Sequence, residues 1–477
     1  MNARDVARRV LGRVDTGGYG SLTLAGELGR AQLGDADAGL ATELVYGVLK
    51  RRTRLDRALA ALAPRGLGGV DATTANTLRV AAYQILFLRV PAHAAVDDAV
   101  GAVKRSRSQK LANFANALLR RLAREGEPPL PPASDLGAYL EAAESTPRWL
   151  VDDVIARLGG EGARALLEAW NAPAPTWLRV NTARTSVAAL QSALVAERPR
   201  ARFATSPLSP EALAVRGGGD LFSTAAFGAG LFTAQDLGAQ IVARFVAPAP
   251  GEHILDACAG VGGKSTHLAA LARDSAAKAE TKNDAKIEAN HNEKIGAKID
   301  AKNDAKTGSN VEAKIDAADL SQRKLALGDD VARRLGISGI RFIVADLTDP
   351  RTPLRPTYDR VLLDAPCSGL GVLRRHPELK WRRTRDEVRA LAALQARLLD
   401  TLASRVKKGG LLVYSVCTFT DEEGPLLIAA FLASHPDFAI EPPPPAFAAL
   451  ATEDGAIRTW PHRDDADAFY AVRLRRR

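Results

Sequence analysis

Through its first ~125 residues the chain places apolar side chains at three- and four-residue intervals: Val6, Val10 and Val14 with Leu11 beside them, then Leu40, Leu44, Val48, Leu55, Leu59 and Leu62. That period keeps one stripe of a 3.6-residue helix apolar, so helix is the predicted state. A third helix carries Leu78, Ala82, Ile85 and Leu86 and stops before Pro91; others hold Val96, Val100 and Val103, then Phe114, Leu118 and Leu119. Residues 127–132, Glu-Pro-Pro-Leu-Pro-Pro, break any helix and predict a linker. Helices follow around Trp149–Leu158 and Glu161–Trp170. Then Trp177-Leu178-Arg179-Val180-Asn181 reads as a strand and Ser186–Val195 as a helix, and short apolar pieces run on to Phe232.

From residue 236 the texture changes again. Short apolar runs, His253–Ala257, Arg341–Ala345, Arg360–Leu363 and Leu411–Val416, alternate with helical patterns such as Asp386–Val406, which predicts βαβ units and a parallel sheet. The expectation is a multidomain chain: an all-α domain over 1–126, a small α+β region over 133–235 and a Rossmann-like α/β domain over 236–477. One stretch interrupts the pattern. Residues 275–314 are rich in Lys, Asn, Asp and Ala and repeat themselves, with Ala-Lys-Ile-Asp-Ala at 297–301 and 313–317 and Ala-Lys-Ile-Glu-Ala at 285–289. So polar a composition cannot offset its ordering entropy by burial, and it predicts a disordered or loosely helical insertion between a first helix and a second strand.

Charge adds a partner class. Lys and Arg number 65 against 55 Asp and Glu, a formal net charge of +10. Such an excess suits a polyanion, because each neutralised phosphate releases counterions. Basic residues gather on the helical front, at Lys50-Arg51-Arg52, Arg54 and Arg57, then Lys104, Arg105, Arg107 and Lys110. No apolar run of about 18 residues suggests a membrane span, and the charged start Met1-Asn2-Ala3-Arg4-Asp5 does not resemble a signal-peptide core. A soluble cytoplasmic protein is expected. The three cysteines, Cys258, Cys367 and Cys417, are too few and scattered for a disulfide framework or a zinc site, so no metal is expected. Each falls inside a short motif. For Cys258 the plain reading, a small buried hydrophobe, is kept.

The first motif, His253 to Ser265, is strand, glycine-rich turn and helix. Small residues at Cys258, Ala259, Gly260, Val261, Gly262 and Gly263, followed by Lys264, let the backbone pass close to a nucleoside, and the following helix offers free N–H groups. Alone this could be a dinucleotide loop, a degenerate P-loop or an adenosylmethionine loop. The Walker spacing fails, and G-x-G-x-x-G fails at position 265, where Ser stands. An acidic strand end, Asp256, followed by small residues fits S-adenosylmethionine better. Asp319 follows a second strand, where a ribose-binding acid belongs, and Asp346 ends the strand Arg341–Ala345, placed to meet an adenine amino group. The insertion blurs that register and leaves Asp316 as the weaker candidate for the ribose.

Two further strands empty into thiols: Val361-Leu362-Leu363-Asp364-Ala365-Pro366-Cys367-Ser368-Gly369 and Leu412-Val413-Tyr414-Ser415-Val416-Cys417-Thr418. Ligands of an open parallel sheet bind outside the carboxyl ends of its strands, so both thiols belong on the cofactor side. Pyrimidine chemistry has a use for such a set. Carbon 5 accepts a methyl group only after a nucleophile adds at C6, a carboxyl near N3 stabilises the charge that develops, and the C5 proton must then leave to a base.

These motifs, Asp-Ala-Cys-Ala-Gly-Val-Gly-Gly-Lys (256–264), Asp-Ala-Pro-Cys-Ser-Gly-Leu-Gly-Val-Leu-Arg-Arg-His-Pro-Glu-Leu-Lys-Trp (364–381) and Tyr-Ser-Val-Cys-Thr (414–418), resemble the bacterial ribosomal RNA cytosine-C5 methyltransferases of the RsmB (Fmu/Sun) group in the NOL1/NOP2/Sun family. The helical front, with Asn113-Phe114-Ala115-Asn116-Ala117-Leu118-Leu119-Arg120, resembles the NusB-type RNA-binding domain of that group. The resemblance implies that Cys417 attacks C6, that Cys367 assists release and that Asp364 contacts the base. It further implies that Lys264 serves the reaction, and that the loop 258–264 with Asp319, Asp346 and Asp364 holds S-adenosylmethionine. The implied partner is 16S ribosomal RNA, before assembly. Two departures stand out: the family's Cys-Ala-Ala-Pro-Gly-Gly-Lys is Cys-Ala-Gly-Val-Gly-Gly-Lys here, and Thr-Cys-Ser is Val-Cys-Thr, and neither removes a reacting group. Two other readings stay open: an RNA-binding or antitermination-type factor with an inactive methyltransferase half, and a cytosine-C5 methyltransferase of another nucleic acid, in which the Pro-Cys thiol would be the nucleophile.

Overall fold

The apolar stripes of the front fold into helices Ala3–Asp15, Gly20–Ala31, Asp35–Leu62, Ala72–Phe87, Ala92–Ser106 and Gln109–Glu125 in the computed structural model, which describes residues 1–63, 66–277 and 313–477. Their starts are capped as the sequence allows: Asn2 and Asp5 form a reciprocal capping box, and Asp71 and Ser108 accept from backbone N–H groups three residues on. Val6, Val10, Leu44, Val48, Leu59, Leu78 and Leu119 lie in one core at 0–1 % exposure. Residues 127–132 carry no regular structure. The two helices expected after them are both present within Arg148–Asn171 and meet at Gly159, whose φ of 67° and extended ψ a residue with a side chain does not adopt cheaply.

These helices, through Ala174, form one compact unit, and residues Val372–Arg383 belong to it. That segment is the latter half of the long motif, and its Arg374, Glu378 and Lys380 are buried. Glu378, 2 % exposed, accepts from Gly20 N at 2.9 Å, and Arg382 donates to Val14 O at 2.6 Å. Lys380, fully buried, reaches Asn171 Oδ1 at 3.1 Å and the Glu144 carbonyl at 3.4 Å. Lys50 donates to Ala172 O at 2.8 Å, Arg374 to Pro173 O at 2.8 Å and Arg51 to Ala143 O at 2.9 Å. Four cations thus close the carboxyl ends of helices Leu136–Glu144 and Arg148–Asn171, where unpaired carbonyls and the helix dipole favour positive charge.

Burial still has a cost. It pulls Lys380 down to about 7, helped by the neighbouring Arg51 and Lys50, and Lys50 itself to about 8. A folded value below the unfolded one means that the unfolded chain binds more protons between pH 7 and 10.5, so stability rises with pH across that window. Each fully differing proton contributes about 1.4 kcal/mol per pH unit. Lys380→Met is therefore expected to flatten the rise in melting temperature from pH 7 to 10; a variant as steep as the parent would refute this origin.

The second unit, Pro175–Gly371 with Thr384–Arg477, carries two sheets. The smaller joins β1 (Thr176–Val180), β2 (Arg202–Ser206), β3 (Ser209–Arg216) and β4 (Phe232–Ala234) in the order β2-β3-β1-β4, all antiparallel, with Leu190 and Leu194 of helix Val187–Glu197 packed on Leu178 and Leu213. The larger holds β5 (His253–Ala257), β6 (Lys314–Asp319), β7 (Ile340–Val344), β8 (Tyr358–Asp364), β9 (Val406–Val416), β10 (Phe438–Glu441), β11 (Ile457–Arg458) and β12 (Tyr470–Arg476). Its order is β10-β12-β9-β8-β5-β6-β7, with β11 paired to β12.

The run β9-β8-β5-β6-β7 is parallel as predicted. The sheet as a whole is mixed, however, because β12 returns antiparallel beside β9 and carries β10 and β11. The parallel-sheet expectation missed these because Tyr470–Arg476 reads as a basic tail; in the fold its arginines find partners, Arg473 donating to Glu441 at 3.0 Å and to Phe245 O at 2.6 Å. The predicted insertion also ends earlier than expected. In its last repeat copy Ala313, Ile315, Asp316 and Ala317 are buried, and the exposed Lys314 opens β6, which lies between β5 and β7. Residues 278–312, and with them the expectation of disorder, lie outside the described residues. No helix among those described is long and apolar enough to cross a membrane.

Candidate active site at the carboxyl ends of the parallel strands

Five adjacent strands deliver their last residues to one edge, and the candidate residues other than Asp316 lie there. β5 runs into the loop Cys258–Lys264, β6 ends on Asp319, β7 leads to Asp346, β8 ends on Asp364 and β9 leads to Cys417.

The glycine-rich loop is held in an unusual course. Cys258, Gly260 and Gly262 have φ of 62°, 58° and 69°, so the loop doubles back and presents backbone. At Gly262 a side chain would be strained and tight: φ is 69°, and a Cβ would stand 3.2 Å from Gly328 Cα and 3.3 Å from the Phe342 ring. Asp319 fixes the loop from the neighbouring strand, accepting from Gly260 N at 3.0 Å and from Ser321 N at 2.8 Å. Beneath it Asp256, fully buried, bonds Ser265 at 2.5 Å, and burial pushes its carboxyl up to about 7. Asp316 is excluded from this edge: Arg341 and the Tyr358 hydroxyl occupy both its oxygens at 2.7–2.9 Å. Asp346 is exposed, with Oδ1 taken by Thr348 N and Oγ1. Burial pushes the Cys258 thiol up, which suits the plain reading of that residue.

Three large apolar side chains stand exposed at the same strand ends: Val261 at 49 %, Leu320 at 70 % and Val344 at 52 %. Exposed apolar groups clustered over a backbone cradle, beside two carboxylates, fit a flat heteroaromatic ring joined to a hydroxylated sugar.

Next to the cradle lie two thiols. Cys367 Sγ and Cys417 Sγ are 3.2 Å apart, and both are free thiols. The hydrogen bond to Cys417, and then burial, push the Cys367 thiol well above its ordinary range. Asp364 lies between Lys264 Nζ at 2.5 Å and Ser415 Oγ at 2.7 Å. Burial opposes the charge on Lys264, but Asp364 outweighs it and holds the ammonium above its usual range. Close backbone packing aligns the two cysteine loops: Gly371 N donates to Cys417 O at 2.9 Å, and a Cβ on Gly371 would stand 2.0 Å from Ala468 O.

Supporting residues escaped sequence reasoning. Arg179, 4 % exposed on β1, donates to Gly263 O at 2.7 Å, Gln235 Oε1 at 2.6 Å and Thr266 Oγ1 at 2.9 Å, while Thr266 donates to Gly262 O at 2.8 Å. A charged residue inside an apolar strand was the available signal. Glu423, fully buried, accepts from Ser368 N at 2.8 Å, beside Cys367; within the acidic run Asp421-Glu422-Glu423 nothing distinguished it.

Comparison with known proteins places the chain in a family. Residues 309–475 match the family model of the 16S rRNA methyltransferase RsmB/F, residues 1–124 the NusB family and residues 146–221 the ferredoxin-like domain of RsmF/B-like methyltransferases. The chain is 31 % identical to the probable ribosomal RNA small subunit methyltransferase B of Bacillus subtilis, covering 100 % of this chain and 99 % of that protein. It is 34 % identical to the ribosomal RNA small subunit methyltransferase B of Thermus thermophilus, covering 99 % and 97 %. In fold it is similar to the crystal structure of PH0851, with a TM-score of 0.79 over 99 % of each chain at 23 % identity.

Proposed function

The chain belongs to the family of the 16S rRNA methyltransferases RsmB/F, and from that premise we propose that it methylates carbon 5 of a cytosine in 16S ribosomal RNA with S-adenosylmethionine as donor. The observation that carries this reading is the pair of thiols 3.2 Å apart beside a lysine-paired aspartate. The RNA is bound before assembly into the subunit, with the helical NusB-like domain contributing affinity. The proposed sequence modules are 1–126, 133–235 and 236–477, although the compact units divide instead at Ala174/Pro175.

The loop Cys258–Lys264 with Asp319 and Asp346 holds the cofactor: the loop backbone and the exposed Val261, Leu320 and Val344 receive the adenosine, Asp319 the ribose and Asp346 the adenine amino group. Bound there, the cofactor supplies an electrophilic methyl group. Cys417 adds to C6 as a thiolate, with Cys367 Sγ 3.2 Å from it. Asp364, steadied by Lys264 and Ser415, meets the N3 edge of the base as charge develops there. The two thiols then exchange roles. Once Cys417 is bonded to carbon, its hydrogen bond with Cys367 is gone, while burial still opposes the Cys367 thiolate. Cys367 can then lose its proton to solvent and take the one leaving C5, while C5=C6 re-forms and Cys417 is expelled.

The test uses 16S rRNA carrying tritium at cytosine C5. One tritium is expected in water for each methyl group transferred; methylation without tritium release would sink the C5 assignment. Gly371→Ala is expected to push the Pro-Cys loop off Cys417 and lower kcat about 100-fold, the usual effect of a displacement near 1 Å, with little change in cofactor binding. Unaltered turnover would show that the close contact is unimportant.

A further inference from the structure

We propose that Glu423 is a positioning residue that aims Cys367 at the reacting base, an inference resting on the reading in which Cys367 assists release. Cys367 lies in an irregular turn, so its side-chain direction depends on the two peptide groups that flank it. Both are held. The carbonyl of Pro366 accepts from Gln395 Nε2 at 2.9 Å, and the N–H of Ser368 donates to Glu423 Oε1 at 2.8 Å. The two holders are joined, Gln395 Nε2 also donating to Glu423 Oε1 at 2.9 Å, and Thr420 Oγ1 donates to Glu423 Oε2 at 2.9 Å. The Tyr414 hydroxyl lies 2.7 Å from Glu423 O and 3.0 Å from Gln395 Oε1, fixing the brace to β9 three residues before Cys417. Ser368 Oγ completes it by donating to Thr418 Oγ1 at 2.9 Å, next to Cys417.

Glu423, Gln395, Tyr414 and Ser368 are all 0 % exposed. An apolar residue in its place would take an acceptor from each of the buried Ser368 N–H, Gln395 Nε2 and Thr420 Oγ1. What the acid supplies is acceptance alone: one oxygen takes two N–H groups at once and the other takes a hydroxyl. A glutamine can keep that grip, because its oxygen can receive both N–H groups while the Thr420 hydroxyl turns to accept. An alanine cannot.

Release breaks the C5–H bond, whose electron pair closes C5=C6 as the C6–Sγ bond opens and Cys417 recovers its thiolate; the proton goes to deprotonated Cys367. A misdirected Cys367 leaves addition and methyl transfer intact and stalls this step. Incubated with 16S rRNA and S-adenosylmethionine, E423A is therefore expected to accumulate a denaturation-resistant protein–RNA adduct at least about tenfold above the parent. The adduct disappears in E423A combined with Cys417→Ala, and E423Q restores release. Cofactor binding and melting temperature confirm that each variant is folded; if E423A is not, Gln395→Met, which frees Pro366 O, stands in with the same expectation. Slow turnover without trapped adduct, alongside trapping by Cys367→Ala, would overturn the positioning role and leave the mechanism standing. Absence of trapping by Cys367→Ala itself would overturn the mechanism on which the role rests.

Discussion

Cys417→Ala is expected to form no RNA adduct and to lose methyl transfer by at least about 10⁴-fold, because without addition at C6 carbon 5 is never activated. Cys367→Ala should behave differently. It still adds and methylates, then stalls, leaving a crosslink that survives a denaturing gel and vanishes when Cys417 is also replaced. The asymmetry follows from the strands. Cys417 extends β9, which hydrogen-bonds along its length between β8 and β12, whereas Cys367 sits in a turn. A mechanism in which the Pro-Cys thiol is the nucleophile predicts the reverse. Labelled 16S rRNA with both variants separates the two on one gel: a crosslink from Cys417→Ala would reverse the assignment.

The Lys264–Asp364 pair should show the second large effect. Asp364→Asn leaves an ammonium with 12 % side-chain exposure facing a neutral amide, and breaking a largely buried pair on one side typically costs about 3 kcal/mol. Lys264→Met leaves the carboxylate alone. The double variant removes both charges and should recover most of the lost stability, to within about 1 kcal/mol. It should recover no activity, because neither the charge opposite N3 nor the cation beside Cys417 returns. Melting and single-turnover methyl transfer on the four proteins form the cycle. A double variant that regains methyl transfer would make the pair a structural support only, and one no more stable than the single variants would show that the two charges are not coupled.

Much of this site was legible because its residues occur in short continuous motifs at strand ends. The strand His253–Ala257 was read to the residue, and both thiols and Asp364 were located from the apolar runs before them. The supports were not legible, for a physical reason. Arg179, Gln395 and Glu423 act across sequence separations of 28 to 87 residues, and hydrogen-bond complementarity at that range leaves no periodic trace. Asp316 and Asp319 looked alike in sequence because both follow apolar residues of one strand. Only the register of β6 against β7, which pairs Asp316 with Arg341, separates them. The antiparallel β12 stayed hidden since arginines alternate along it with the buried Val472 and Leu474 and imitate a solvated tail.

The membership of Val372–Arg383 in the helical unit bears on how the chain acquires its shape during synthesis. Every partner that Lys50, Arg51 and Gly20 can find locally is made within the first 174 residues, but Glu378, Lys380 and Arg382 emerge from the ribosome some two hundred residues later. Until then the bundle has an open seam, and closing it joins contacts of very high sequence separation, which is slow. A fragment ended at Ala174 is therefore expected to aggregate more readily than one supplied with the 372–383 peptide in trans; equal solubility would show that the leading helices close without it.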